Sequence, residues 1–515
     1  MTARPLHDFL EHIAAYTIAV HGDISGTISA VHCDSRLVEP DSIFVAVDGA
    51  RANGVDYIPQ AVAAGARVIV ADKPLPPLPP GVVAVEVSQT YAVLARLAEM
   101  QYDFPSTRLK VYGITGTNGK TTSAYILRDI FRAAGIRTGM IGTVCYDCGD
   151  EIIAADRTTP PPLLLQQLLA KMVAAGIEVV VMEFSSHALV QRRYGGGRVA
   201  GAIFTNLTGD HLDYHQDLEQ YYQAKRLLFS EVLADGATAV VNSDDPTGAR
   251  LQSELRATGA HKVIALTAAG VAGATPSAPV AQINELRSGV AGTSLTLTSS
   301  ALPTLRLQSP LIGSYNAYNL AGAAALALDA GIAPALIQAA ISDCRGAPGR
   351  LEAYATPHGA TVFVDYAHTD DALQNVLTAL RQLQPRRLSV VFGCGGDRDR
   401  SKRPRMGRVA AELADQVWVT SDNPRSENPQ QIIAEICAGI AAGSNVKVEA
   451  DRRRAIAAAV TGAGAGQIVL IAGKGHETYQ EINGQTFAFD DAAEVRGAIA
   501  ALTTATTPDQ PGQDS

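Results

Sequence analysis

The alternation of strand and helix patterns in this 515-residue sequence predicts an α/β protein of three domains. Three observations carry that reading. At a prior of about 150 residues per domain the chain needs roughly three cores. A strand, a glycine-rich turn and a helix open a new α/β unit near residue 109, and after Gly346-Ala-Pro-Gly-Arg350 the strand-to-helix pattern restarts. The expected divisions are a mixed α/β domain at 1–108, a P-loop domain with a parallel sheet at 109–346, a doubly wound, Rossmann-like domain at 347–502, and a frayed tail at 503–515.

In the first domain Ser42-Ile-Phe-Val-Ala-Val47 and Ala66-Arg-Val-Ile-Val-Ala71 are β-rich, with a short helix expected over 58–64. The proline run 74–80 reads as a stiff surface loop. Asp34-Ser35-Arg36, taken by itself, has the composition of a turn cap more than of a ligand site.

The second domain opens on Val111-Tyr-Gly-Ile-Thr-Gly-Thr-Asn-Gly-Lys-Thr-Thr122. Glycines let backbone N–H groups curl around a phosphate, Lys120 and the helix N-terminus supply positive potential, and Thr121 can reach a magnesium ion. The usual spacing G-x-x-x-x-G-K-[ST] is not met, because its first position falls on Ile114 and Gly113 stands one residue early. The core Gly116, Thr117, Asn118, Gly119, Lys120, Thr121 and Thr122 still contains every group the chemistry needs.

Further on, the near-continuous apolar run 177–183 predicts a central parallel strand buried on both faces. It ends in Glu183, Ser185, Ser186 and His187. A second strand, 201–206, leads into Asp210, His211, Asp213 and His215. Ligands in open α/β sheets gather at the carboxyl ends of strands, so both polar clusters are expected to face the phosphate loop. Lys225 reads as a solvated helix lysine. Residues 268–280 read as a loop, 294–298 and 305–307 as a hairpin appended to the sheet, and the alanine-rich run 321–341 as packed helix. Asn316 and Asn319 share a helical face and can either read a purine edge or cap the helix.

In the third domain, strands near 362–365, 390–392, 417–420 and 468–471 each run into a polar loop. Arg398 and Arg425 stand in two of those loops, and a guanidinium holds a carboxylate with two parallel hydrogen bonds. Glu477 stands in another and can hold an ammonium. Two cationic forks with a carboxylate describe a pocket for a zwitterionic amino acid with an extra carboxylate. Ordinary surface ion pairs are the competing explanation.

Bulk composition narrows the partners. The formal charge of −9 argues against nonspecific nucleic-acid binding. No apolar run is long and uninterrupted enough to span a bilayer, and the N-terminus lacks the apolar core of a secretory signal. Six scattered cysteines fit thiols in a reducing cytoplasm; Cys145 and Cys148 have zinc or redox spacing but no second pair nearby. Phosphoryl transfer to an acceptor and ATP-driven joining both fit this plan, and fold alone does not separate them.

The sequence also resembles the Mur ligase family over about 20–502. The resemblance is carried by Asp34-Ser-Arg36, Gly116–Thr122, Thr158-Thr-Pro160, Met182-Glu-Phe-Ser-Ser-His187, Thr205-Asn-Leu-Thr-Gly-Asp-His-Leu-Asp-Tyr-His215, Asp365-Tyr-Ala-His368, Gly393-Cys-Gly-Gly-Asp-Arg398, Asp422-Asn-Pro-Arg425 and Gly473-Lys-Gly-His-Glu477. It implies an N-terminal domain that binds a uridine nucleotide, and ATP and Mg²⁺ use at the centre. It also implies an amide-bond ligase of cell-wall precursor synthesis, acting on small molecules as a cytoplasmic monomer.

Residue by residue, the resemblance implies uridine-nucleotide contacts at Ser35 and the loop Ala50-Arg-Ala52. It implies muramoyl-dipeptide contacts at Arg157, Thr158, Thr159, Ser185, Gln191 and Arg193. Lys225 matches a lysine carried as a carbamate. With His211 that carbamate would support one Mg²⁺, while Thr121 and Glu183 support another. Asn316, Asn319, Arg350 and Asp365 match positions around the ATP base, phosphates and ribose. Asp422, Asn423, Pro424 and Arg425, with Arg398, Gly473 and Glu477, resemble the recognition set for diaminopimelate, which has one carboxylate more than lysine. A buried cation left unpaired by lysine would cost about 3–5 kcal/mol. A lysine-adding ligase is the nearest alternative; a folylpolyglutamate synthetase-like ligase and a nonenzymatic nucleotide switch are more distant.

Overall fold

A computed structural model describes residues 3–49, 52–209, 212–268, 280–289 and 291–505. The N-terminal sheet contains β1 (Thr17–His21), β2 (Val31–His32), β3 (Ser42–Val45), β4 (Ala66–Ala71) and β5 (Val83–Val87), in the order β1-β5-β4-β3-β2. Only β1 is antiparallel to its neighbour. Helix α1 (Thr90–Gln101) covers one face through Val93, Leu94, Leu97 and Met100, which join Val45, Val68 and Val85 in one core.

The central sheet is built from β6 (Lys110–Thr115), β7 (Thr138–Ile141), β8 (Cys145–Asp147), β9 (Ile152–Ala154), β10 (Val179–Glu183), β11 (Val199–Phe204), β12 (Leu233–Asn242), β13 (Lys262–Ala268), β14 (Val280–Gly289), β15 (Gly292–Ser299) and β16 (Leu305–Ser309). Its order is β9-β8-β7-β10-β6-β11-β12-β13-β14-β15-β16. In that order the neighbours from β7 through β10, β6, β11, β12 and β13 to β14 are parallel, and antiparallel pieces extend both edges. Alternate residues of one strand enter opposite cores: Val181 packs with Ile114 and Ile203 on one side, Val180 and Met182 with Val111 and Phe204 on the other. Burial of each such side chain stabilises by about 1.5–3 kcal/mol. Helix α2 (Lys120–Ala133) follows the phosphate loop, α3 (Ser186–Val190) follows β10, and α4 (Leu218–Leu227) precedes β12. The alanine-rich run is two helices, with α5 (Tyr315–Asp329) packed against α2 and a shorter one over Pro334–Asp343. Its alanines are the small side chains that a close helix pair requires.

The third sheet has the order β17-β18-β22-β19-β20-β21, from β17 (Glu352–Ala355), β18 (Thr361–Asp365), β19 (Arg387–Phe392), β20 (Gln416–Val419), β21 (Val446–Val448) and β22 (Gln467–Ala472). All but β17 are parallel. Helices α6 (Asp370–Gln382) and α7 (Lys402–Leu413) cover it, and the hairpin β23 (Tyr479–Ile482) and β24 (Gln485–Ala488) projects beside its polar end. The last helix, Asp491–Ala505, runs past residue 502, where a frayed tail was expected to begin. The loop expected over 268–280 lies, apart from its ends, outside the described residues. Among the described residues no helix is long and apolar enough to cross a membrane.

Candidate active site

The offset in the phosphate-loop spacing has a structural cause. Gly113 lies inside β6, where a Cβ would stand 3.1 Å from Phe184 and Leu228, so it is a packing glycine and not part of the turn. The turn glycines are Gly116 (φ 147°) and Gly119 (φ 87°), the latter at the N-terminus of α2. A Cβ on Gly116 would fall 1.9 Å from Thr205 Oγ1, and one on Gly119 2.4 Å from Asn319 Oδ1. Only glycine fits either place. The loop is pinned to the end of β11: Asn118 N donates to Asn206 Oδ1 (2.9 Å), and Thr205 Oγ1 and Asn206 Nδ2 donate to Asn118 O (2.6 and 3.1 Å). Lys120 Nζ donates to the carbonyls of Gly116 (3.0 Å) and Thr117 (2.8 Å).

Glu183, fully buried at the end of β10, accepts from Thr121 Oγ1 (2.9 Å), Thr143 N (2.9 Å) and Thr143 Oγ1 (3.1 Å). Lys225 corrects the expectation of a solvated lysine. It is 1% exposed, donates to Gly116 O at 2.7 Å, and its Nζ sits 4.4 Å from the centre of the Tyr221 ring one turn earlier on α4. The face of α4 that carries Tyr221, Ala224 and Lys225 is turned into the protein, which residue type alone does not reveal. His211 lies outside the described residues, as do Ala50 and Arg51 of the loop that ends at Ala52. Among the described residues no three His, Cys, Asp or Glu side chains converge as a metal cluster. Cys145 and Cys148 are buried thiols, not a bridge, and burial raises the pKa of both.

A cavity of about 460 Å³ opens between the central and third domains, lined by Gly119, Thr122, Asn316, Asn319, Arg350 and Asp365 among others. Asn319 Nδ2 donates to Asn316 Oδ1 (2.9 Å), Asn316 Nδ2 to Ile312 O (2.8 Å), and Ser123 Oγ to Asn319 Oδ1 (3.2 Å). The asparagines therefore brace one another and α2. Asp365 ends β18 and accepts from the amides of Leu351 and Ala367, both at 2.8 Å. Burial raises its pKa, against the pull of Arg350. Arg350 Nε is buried with no hydrogen-bond partner among the described residues, and its guanidinium lies 4.7 Å from the Tyr366 ring centre. An orphaned guanidinium nitrogen on a cavity wall beside a glycine loop fits an anionic phosphate. The two domains are latched at this cavity, where Asn118 Nδ2 (2.8 Å) and Thr208 Oγ1 (3.1 Å) both donate to Asp371 Oδ2 on α6.

A second cationic group is linked to the Glu183 backbone through Thr159. Arg193 is 6% exposed and meets no carboxylate among the described residues; Nη1 donates to Thr159 O and Nε to Gln191 Oε1 (2.9 Å). Burial, then the charge of Arg157, lowers its pKa to about 10. Thr159 Oγ1 donates to Glu183 O (2.7 Å) and accepts from Ser185 N (3.0 Å), and Thr158 Oγ1 lies 3.0 Å from Thr143 Oγ1. Ser185 also caps α3 through Ala188 N. Arg157 is exposed, its backbone bonded to the Tyr146 hydroxyl. Asp34 caps the turn Ser35–Leu37, and hydrogen bonds from Arg36 lower its pKa to about 2. Ser35 Oγ donates to Gln60 Oε1 (2.9 Å).

The third-domain loops converge, with one correction. A Cβ on Gly395 would lie 2.9 Å from Arg425 Nη1 and 3.9 Å from Arg398 Cγ, so the two arginines share a wall. Arg425 is not the unpaired buried cation expected from the sequence. Its Nε donates to Glu481 Oε2 (3.1 Å) and its Nη1 to Gly396 O (2.8 Å), while Arg398 is exposed. Glu477 is likewise engaged, accepting from Asn423 Nδ2 (2.9 Å) and from the fully buried Lys474 (3.2 Å). Burial raises the pKa of Glu477. Burial opposes ionisation of Asp422 too, but Lys474 and Arg452 outweigh it and lower its pKa. Pro424 turns the chain so that its carbonyl takes Glu427 N (3.0 Å), and Gly473 (φ 120°) leaves no room for a Cβ, which would sit 2.7 Å from Asp422 Oδ2. Four residues that sequence reasoning did not single out as site residues are Thr143, Asp371, Lys474 and Glu481. Only Lys474 carried a signal, its place inside the Gly473–Glu477 motif.

The chain matches the Mur ligase middle domain over residues 114–327, the Mur ligase glutamate ligase domain over 349–475 and the Mur ligase family catalytic domain over 27–102. A protein of Gloeobacter violaceus named UDP-N-acetylmuramoyl-L-alanyl-D-glutamate--2,6-diaminopimelate ligase is 42% identical over 97% of this chain and 99% of its own. A solved structure of a ligase of that same name is 33% identical, with a TM-score of 0.67 over 98% of this chain and 100% of its own. Mycobacterium tuberculosis folylpolyglutamate synthase complexed with ADP and AMPPCP shares the fold, at 18% identity and a TM-score of 0.58 over 81% of this chain and 95% of its own.

Proposed function

The chain belongs to the Mur ligase family, and from that premise we infer that it is the ATP-dependent ligase that joins meso-2,6-diaminopimelate to UDP-N-acetylmuramoyl-L-alanyl-D-glutamate. The observation that carries the reading is the near full-length likeness to ligases of that name, together with Arg425 and Arg398 on one wall of the third-domain pocket.

The D-glutamyl γ-carboxylate, steered by Arg193, attacks the γ-phosphorus of ATP and breaks its bond to the bridging oxygen, giving an acyl phosphate and ADP. Lys120 and the loop amides spread the charge on the transferring phosphoryl group, and Arg350 takes a phosphate oxygen. The diaminopimelate amine, held by Glu477, then attacks the acyl carbon. The tetrahedral adduct collapses with loss of phosphate and a proton, leaving the amide. Closure of the third domain over the central one, latched at Asp371, keeps water from the acyl phosphate.

Thr121 and Glu183, joined at 2.9 Å, form a hard oxygen pair suited to Mg²⁺, which when bound would neutralise phosphate charge. We assign Lys225, whose Nζ meets the Gly116 carbonyl, as a carbamate that would supply an anionic oxygen ligand. Lys225→Ala is then expected to lose about 10²-fold in rate and regain part of it with a short-chain carboxylic acid; full activity without the acid overturns the assignment. We further propose that the enzyme acts in the cytoplasm, as a monomer.

The test of the function is phosphate release from ATP across an amino-acid panel, with the nucleotide dipeptide present. Release only with diaminopimelate supports the reading, and equal release with L-lysine sinks it.

A further inference from the structure

We propose that Glu481, on the hairpin β23–β24, holds the place of the amino acid's distal carboxylate at Arg425 and so sets how sharply the enzyme separates diaminopimelate from lysine. The proposal rests on the reading that Arg425 receives that carboxylate.

The first strand of the hairpin and its turn are bound to the recognition motif. Gln480 Nε2 donates to Asp422 O (2.6 Å), Glu481 N to Asn423 Oδ1 (3.0 Å), Arg425 N to Glu481 O (3.0 Å) and Asn483 N to Arg425 O (2.7 Å). Those bonds hold Arg425 in a left-handed conformation (φ 51°), which is uncommon for a non-glycine residue. Glu481 is therefore fixed in register with Arg425 and not an incidental surface partner.

The guanidinium is committed on two of its three nitrogens, Nε to Glu481 and Nη1 to Gly396 O, and Nη2 makes no hydrogen bond among the described residues. The ion pair is half-wet, with Arg425 at 18% and Glu481 at 34% side-chain exposure, so it is screened and can be exchanged.

The consequence for specificity is a matter of charge counting. With lysine bound, Arg425 keeps Glu481 and is never left unpaired, so lysine escapes most of the penalty a bare guanidinium would impose. With diaminopimelate bound, a second carboxylate approaches the same cation and is repelled by the first. Glu481 thus weakens the correct substrate and tolerates the wrong one, relative to a neutral residue of the same shape.

Glu481→Gln keeps an oxygen acceptor for Arg425 Nε and removes the charge. The expected result is a rise of about tenfold in the diaminopimelate-to-lysine ratio of kcat/KM, through a lower KM for diaminopimelate. An unchanged or lower ratio overturns the proposal. Arg425→Ala separates the two layers: if that variant keeps the parent ratio, the reading of Arg425 fails and the placeholder with it. If Arg425→Ala collapses the ratio but Glu481→Gln leaves it unmoved, the placeholder alone fails. In the double variant the gain from Gln must vanish, and its survival without Arg425 also overturns the proposal.

Discussion

Arg193, bonded to Thr159, and Arg350, on the cavity wall beside the phosphate loop, are cations that form no ion pair among the described residues, whereas Arg425 and Lys474 in the third domain are paired with Glu481 and Glu477. On the proposed function, the first pair would face ligands that bring their charge in every catalytic cycle, a carboxylate and a polyphosphate. On the same proposal, the second pair would line a pocket that must choose among amino acids of similar shape. An unpaired buried cation gives affinity, and a paired one gives a threshold that the right ligand has to cross. The difference predicts that truncations on the phosphate side cost more than truncations in the amino-acid pocket.

Lys120→Ala is expected to show the largest effect, a fall of about 10³-fold in kcat for amide formation measured by phosphate release. Intact turnover in that variant would favour a nucleotide-binding scaffold over an enzyme. Arg193→Ala follows, with a loss of about 10²-fold in kcat/KM for the nucleotide dipeptide and little change in the KM for ATP. Arg425→Ala should lose about 30-fold in kcat/KM for diaminopimelate, near 2 kcal/mol, because its partner Glu481 had already offset part of its charge. A larger loss at Arg425 than at Arg193 would break the contrast.

The smallest effect concerns pH. Burial, then the charge of Arg350, lowers the His476 pKa to about 4, so the native state resists a proton that the unfolded chain accepts near 6.5. Its contribution to stability is whole above pH 6.5 and is lost as the pH falls towards 4. Between pH 7 and pH 5 the Tm of His476→Gln should fall about 2 °C less than that of the parent. Equal slopes would place the imidazole in water.

What the sequence disclosed follows from the range of the interactions. The phosphate loop, the buried run of β10 and the polar strand ends are local patterns, and each is in the structure where the pattern stands. The burial of Lys225 is not local, since it depends on which face of α4 meets the loop. The partners of the site are more distant still. Thr143 reaches Glu183 across 40 residues, Glu481 reaches Arg425 across 56, and Asp371 reaches Asn118 across 253. The sequence marks Arg425 as a candidate recognition residue, but its pairing with Glu481 depends on a hairpin that carries no recognisable signature of its own.

The two turn glycines have a bearing on inhibitor design. At Gly116 an added methyl would meet Thr205 Oγ1, itself bonded to the Asn118 carbonyl, and at Gly119 it would meet the amide that joins Asn319 to Asn316. Escape by a single substitution at either glycine would require a neighbour to change at the same time. A compound whose acceptors rest on these amides would therefore face a lining with few routes to resistance.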